Sequence, residues 1–209
     1  MIKHILFDLD NTLYSVRYGL EEETTLRVRE FVQKYLGFPY KEIKQLWEDG
    51  YERHGTTIGW LVSEKGLKDF DSYYECLHPE NEADSLSPDP ALRKFLESLP
   101  CPFSILTNAP LFHAKRILEK LELEGIFYKI FDIVFCEMKG KPYASAYGKV
   151  LDFLELKPEE VLFIDDIPRN VEAYLKLGGT GVLLDETGIH NDYQKKRIKS
   201  LWELLQFLG

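Results

Sequence analysis

A chain of 209 residues with 35 acidic and 26 basic side chains carries a formal net charge of −9, which disfavours a nucleic acid polymer as partner and obliges any anionic substrate to meet local positive charge. Hydrophobic residues at 44% and charged residues at 29% are the balance of a globular enzyme, and the length allows one large domain or a core with an insertion. No apolar run approaches the ~20 residues of a membrane span, no signal-peptide pattern opens the chain, and Cys76, Cys101 and Cys136 lack metal or disulfide spacing, so a cytoplasmic protein with reduced thiols is expected.

Ile5, Leu6 and Phe7 predict a first strand buried on both faces, as in a parallel sheet covered by helices. Asp8 then stands at its carboxyl end, the edge where open α/β sheets bind ligands. Asp10 follows two residues on, and carboxylates that close need a proton or a cation between them, which points to a hard divalent ion such as Mg²⁺. Two blander local readings compete. A calcium loop would want glycine at its sixth position, where Leu13 stands, and a plain turn would use Asp and Asn only for backbone hydrogen bonds.

Over residues 18–78 apolar side chains recur at helical spacing: Leu26, Phe31, Val32, Tyr35 and Leu36 form one face, and Ile43, Leu46, Trp47 and Tyr51 another. Gly37, Pro39, Gly55, Gly66 and Pro79 punctuate them, predicting about four helices. The polar, proline-bearing stretch 80–90 reads as a hinge back into a core. Beyond it helices and strands alternate as in βαβ units. Helices are expected over 91–98, 111–121, 144–154, 168–177 and 201–208, and strands over 103–106, 130–135, 161–164 and 180–184. The fold class is α/β: a Rossmann-like, doubly wound parallel core of residues 1–16 and 88–209, with an all-helical cap of residues 17–87 inserted.

Each core strand delivers polar groups at its carboxyl end: Asp8 and Asp10, then Thr107 and Asn108, then Lys141, then Asp165 and Asp166. Three carboxylates suit Mg²⁺, while a hydroxyl and an ammonium suit an oxyanion with several oxygens, so together they describe a phosphate site. Taken singly, Thr107-Asn108 also fits a turn or helix cap, Lys141 a solvated lysine, and Asp165-Asp166 a cap near Pro168.

At these residues the chain resembles the haloacid dehalogenase superfamily, with Asp8-Leu9-Asp10-Asn11-Thr12, Thr107-Asn108, Lys141-Pro142 and Asp165-Asp166 similar to its four motifs in type, order and rough spacing. The resemblance implies a cap inserted after the first motif, Mg²⁺ as cofactor, and hydrolysis of a phosphate monoester. Asp8 is then the nucleophile, Asp10 the acid and base, and Thr107, Asn108 and Lys141 the groups that hold phosphate. The metal ligands are then Asp8, the main-chain carbonyl of Asp10, and Asp165, with Asp166 orienting Asp165 or exchanging roles with it.

Three other classes compete. A haloacid dehalogenase of the family would usually lack the second acid that Asp10 supplies, a phosphoacceptor domain orders its carboxylates oppositely, and a non-catalytic scaffold would usually have lost one of these residues. The stretches from Asp10 to Tyr14 and from Tyr51 to Leu61, and Thr107-Asn108-Ala109 followed by His113, Ala114 and Arg116, resemble the pyrimidine 5′-nucleotidase branch. That likeness implies a nucleoside 5′-monophosphate as substrate, with a sugar phosphate or phosphoglycolate as the alternative. His54 and Thr56 in the cap are the expected specificity residues, and residues 15–18 and 85–90 the expected hinges.

Overall fold

The computed structural model describes residues 1–208 of the chain. Six strands form one parallel sheet: β1 His4–Phe7, β2 Phe103–Leu106, β3 Ile130–Phe131, β4 Val161–Asp165, β5 Thr180–Leu184 and β6 Arg197–Ile198. Their spatial order is β3-β2-β1-β4-β5-β6, and every neighbouring pair is parallel. The first strand is therefore central, with Phe7 in register with Ile105 on one side and Ile164 on the other. All four residues of β1 are buried, as a strand covered on both faces requires.

The α-helices among the described residues are α1 Leu20–Leu36, α2 Tyr40–His54, α3 Thr57–Lys65, α4 Phe70–Leu77, α5 Pro90–Glu97, α6 Leu111–Lys120, α7 Ala144–Leu154 and α8 Pro168–Lys176. Local chemistry sets their ends. Glu21, Glu22 and Glu23 fill the positive first turn of α1, and Gly37, at φ 77, closes it in the left-handed region. The Asp89 carboxylate accepts from the N–H groups of Ala91 and Leu92, with Pro90 as the first residue of α5. One side of the sheet buries Leu6, Leu106, Phe131 and Phe163 against Tyr147 and Val150 of α7 and Tyr174 of α8.

Three details depart from the sequence reading. The strand expected over 130–135 stops at Phe131, because the Asp132 carboxylate accepts from the Phe135 N–H on one oxygen and the Leu111 N–H on the other, turning the chain. The short β6 was not predicted. It exists because Leu183 and Asp185 on β5's open edge donate to the carbonyls of Lys196 and Ile198. The terminal helix is a 3-10 helix, Leu201–Phe207, opened by a capping box between Ser200 and Glu203.

The chain divides into two compact units, Met1–Tyr18 with Leu86–Gly209 and Gly19–Ser85. The second consists of α1 to α4. Within it α2 and α3 approach closely at Gly50, where any Cβ would lie 2.5 Å from the Trp60 indole. Phe31 of α1 meets Tyr73 of α4 edge to face at 5.0 Å between centroids. Among the described residues no helix is long and apolar enough to cross a membrane, and Cys76, Cys101 and Cys136 are free thiols.

Candidate active site

The site lies at the carboxyl edge of the sheet, where β1 and β4 run side by side. Asp8 follows the last residue of β1, and its N–H donates to the Ile164 carbonyl at 2.8 Å, which locks the carboxylate to the register of β4. Lys141 arrives in the loop before α7. Its Nζ lies 2.5 Å from Asp8 Oδ1 and 2.6 Å from Asp165 Oδ2, and it is 2% exposed. A lysine so buried is neutralised by the two carboxylates it joins, so the solvated alternative for Lys141 does not hold.

Asp165 takes donors on every lone pair: Oδ1 accepts from Ile167 N–H at 2.8 Å and Asn170 Nδ2 at 3.0 Å, and Oδ2 from Lys141 and, at 3.2 Å, from Asn170 Nδ2. Asn170, in the first turn of α8, escaped the sequence reading; its offset from Asp165 is a feature of the turn into α8 and has no pattern of its own. The neighbouring Asp166 is half-buried, and ligand atoms of Asp8, Asp165 and Asp166 all lie within 4.8 Å of one another.

One ammonium against two buried carboxylates leaves excess negative charge. Burial raises the Asp8 carboxyl to about 7, with Asp165 and Asp10 adding to that rise and Lys141 opposing it. For Lys141, burial pulls down but the carboxylates Asp165 and Asp8 more than compensate, holding the ammonium above its ordinary range. An all-oxygen donor set with surplus negative charge fits a hard divalent cation, and no histidine or cysteine joins these three ligand atoms to favour zinc.

The groups from β2 split their roles. Thr107 is 1% exposed and its hydroxyl oxygen accepts from the Ala109 N–H at 3.0 Å, so its own O–H remains a donor for a phosphoryl oxygen. Asn108, expected among the phosphate groups, spends its amide on Lys141: Oδ1 accepts from the Lys141 N–H at 2.7 Å and Nδ2 donates to the Lys141 carbonyl at 2.8 Å. This two-point clamp needs glycine beside it, because a Cβ on Gly140 would lie 2.1 Å from Asn108 Oδ1.

Asp10 sits in the turn after β1, where Asn11 adopts φ 57 and Leu13 N–H bonds back to the Leu9 carbonyl. Its Oδ1 accepts from the Tyr14 hydroxyl at 2.7 Å and from His113 Nε2 of α6 at 2.8 Å. Tyr14 and His113 are both legible only through resemblance.

The two cap candidates have structural ties within the helical unit. Thr56 caps α3 by accepting from the Gly59 N–H at 3.0 Å, and His54 Nε2 lies 2.8 Å from Glu64 Oε1. Arg53 binds the same carboxylate with two nitrogens, and hydrogen bonds from His54 first and Arg53 second draw Glu64 down to about 2. Trp60 is fully buried and so belongs to the unit's core rather than to a stacking surface, while Tyr51 is exposed.

A model of the haloacid dehalogenase-like hydrolase family matches residues 2–178. The chain is 30% identical over 185 residues to a phosphorylated carbohydrates phosphatase of Thermotoga maritima, covering 83% of this chain and 81% of that protein. Among solved structures it is similar to a HAD phosphatase from Thermococcus onnurineus, at a TM-score of 0.67 and 20% identity over 100% of this chain and 98% of that one. It is also similar to L-2-haloacid dehalogenase from Xanthobacter autotrophicus, at a TM-score of 0.64 and 18% identity over 100% of both chains. These last two likenesses speak to the fold.

Proposed function

Since the chain belongs to the haloacid dehalogenase-like hydrolases, we propose that it hydrolyses phosphate monoesters of small molecules through an aspartyl phosphate on Asp8. The observation that carries this reading is the bridge from Lys141 to Asp8 and Asp165 at one sheet edge, with a second carboxylate, Asp10, held two residues from the nucleophile. A dehalogenase attacking carbon needs no acid to release halide. A phosphatase expelling an alkoxide does, and Asp10 is the group for it.

In the first step an Asp8 oxygen attacks phosphorus, the bond from phosphorus to the ester oxygen breaks, and the Asp10 carboxyl protonates the departing alkoxide. Water then attacks the phosphorus of the aspartyl phosphate, Asp10 takes its proton, and inorganic phosphate leaves with Asp8 restored. Lys141 and the Thr107 hydroxyl stabilise the phosphoryl oxygens. Mg²⁺ would be held by Asp8, the Asp10 carbonyl and one carboxylate of the pair after β4, and when bound it screens the repulsion between Asp8 and the phosphate. We assign the third ligand to the Asp165–Asp166 pair and give Asp165, whose oxygens accept from Ile167 and Lys141, the added task of fixing the lysine.

The substrate we favour is a nucleoside 5′-monophosphate, supported by the motif likeness around Tyr51 to Leu61 and Thr107 to Arg116. The second reading, a phosphorylated carbohydrate, draws on the Thermotoga relative. Phosphate release from pyrimidine nucleotides and hexose phosphates, with Mg²⁺ and with EDTA, tests both. Nucleotide turnover about tenfold or more above hexose phosphate, abolished by EDTA and restored by Mg²⁺, is expected. The reverse order replaces the nucleotide reading, and no release from any monoester, or full activity in chelator, overturns the reaction.

Metal binding should also depend on pH in a stated direction. With the Asp8 carboxyl raised to about 7, a proton occupies the site below that pH and must leave as the cation enters. Apparent Mg²⁺ affinity should therefore rise with pH, by up to about tenfold per unit below neutrality, and level off above it. Calorimetric titrations at pH 6 and pH 8 should find proton release on binding at the lower value only. An affinity flat across this range would remove Asp8 from the ligand set.

A further inference from the structure

Resting on the phosphatase reading above, we infer that His113 is a positioning residue for Asp10, holding the carboxylate that serves the leaving group through an Nε2–H hydrogen bond to Oδ1. Asp10 lies in a turn rather than a strand, and its side chain is 34% exposed, so the backbone alone does not fix its carboxylate. Two donors do. Tyr14 is four residues away in the same segment and travels with the turn, whereas His113 is 103 residues away on α6 and 3% exposed. The histidine ties Asp10 to the rest of the sheet assembly.

The placement of α6 gives the tie a second consequence. The helix begins at Leu111, directly after Thr107, Asn108, Ala109 and Pro110. One segment therefore carries the hydroxyl for the phosphoryl group, the amide clamp on Lys141 and the imidazole that aims Asp10. The proton donor and the phosphate groups are held in one frame, and the bond to be broken lies between the places they serve. Misorientation of a positioned acid by about 1 Å costs on the order of 10²-fold in rate.

The test compares His113→Leu, which keeps bulk and loses the N–H, with His113→Gln, which keeps a donor at similar reach. Each is assayed on a series from an alkyl phosphate through phenyl phosphate to a dinitrophenyl phosphate, whose leaving group needs no proton. His113→Leu should lose about 10²-fold in kcat/KM on alkyl phosphate and less than about tenfold on the dinitrophenyl ester, since general acid assistance matters only for poor leaving groups. KM should stay within a few-fold, and His113→Gln should recover most of the loss. A loss equal across the series, no loss, or a glutamine variant no better than leucine overturns the positioning role. Asp10→Asn is run alongside. If it shows the leaving-group dependence and His113→Leu does not, the inference about His113 fails alone; if Asp10→Asn loses equally on all esters, the acid role of Asp10 falls and the inference with it.

Discussion

Replacing Asp8 by Asn should leave a folded protein that turns over no phosphate ester, with kcat lower by about 10⁴-fold or more. The amide is nearly isosteric and can still accept from Lys141 through its oxygen, and Lys141 keeps Asp165 as a counter-charge at 2.6 Å. The fold therefore loses one charge from a site that already carries too much negative charge. What the variant lacks is the anionic oxygen that forms the bond to phosphorus, and the remaining groups can only polarise a phosphate that nothing attacks. Acid-quenched single-turnover reactions with radiolabelled phosphate should trap label on the wild-type chain and none on the variant. Activity within tenfold of wild type, or label retained on the variant, would remove Asp8 from the nucleophile's role.

Lys141→Met should reduce both rate and stability. The rate should fall by about 10²- to 10³-fold, the loss of one preorganised cationic partner for the developing charge. The fold should weaken by about 3–5 kcal/mol above neutral pH, because two buried carboxylates then face each other uncompensated. The pH dependence of that deficit has a definite sign. Burial raises the folded pKa of Asp8 to about 7, above that of an unfolded carboxyl, so stability falls as pH climbs from about 4 to about 7 and is level above it. Without Lys141 that pKa rises further, so the variant keeps losing stability above pH 7 where the wild type has levelled off, and the deficit is larger at pH 8.5 than at pH 6, where Asp8 is protonated in both folded proteins. Urea unfolding at pH 6 and pH 8.5, with kcat measured in the folded range, checks both halves. Unchanged kcat with equal stability at both pH values would show that Lys141 has no part in the charge balance.

Much of this architecture was legible because it rests on short-range patterns. The strand through Ile5 to Phe7, the helical spacing between residues 18 and 78, and the polar groups following each buried strand are properties of neighbouring residues. So are the stops that Gly37 and Pro90 impose. The edges of the sheet were less legible. Asp132 ends β3 by accepting two backbone N–H groups, one of them from Leu111, and β6 depends on β5 offering its open edge, facts that no local window contains.

The site shows the same division. Asp8, Asp10, Thr107, Lys141 and Asp165 stand out as chemistry-bearing types at strand ends. Their partners do not: Asn170 reads as an ordinary helix residue, His113 as part of an amphipathic face, and Asn108 as a phosphate donor when its amide is spent on the Lys141 backbone. Positioning residues are chosen by geometry across long chain separations, so their identity is weakly encoded in any one stretch. Thr56 and His54 illustrate the converse. Polar groups at a helix break read as specificity candidates, and the break adds ties that no local pattern displays: Thr56 caps α3 and His54 meets Glu64.

The ammonium of Lys141 meets carboxylates 133 and 24 positions away along the chain. The pairing with Asp8 needs both β1 and the loop before α7, and an incompletely assembled sheet that buries one of these charges without its complement does so at a cost of several kcal/mol. Half-built versions of the central strands are thereby disfavoured. The groups that balance charge at this sheet edge thus also favour complete assembly of the strands that carry them.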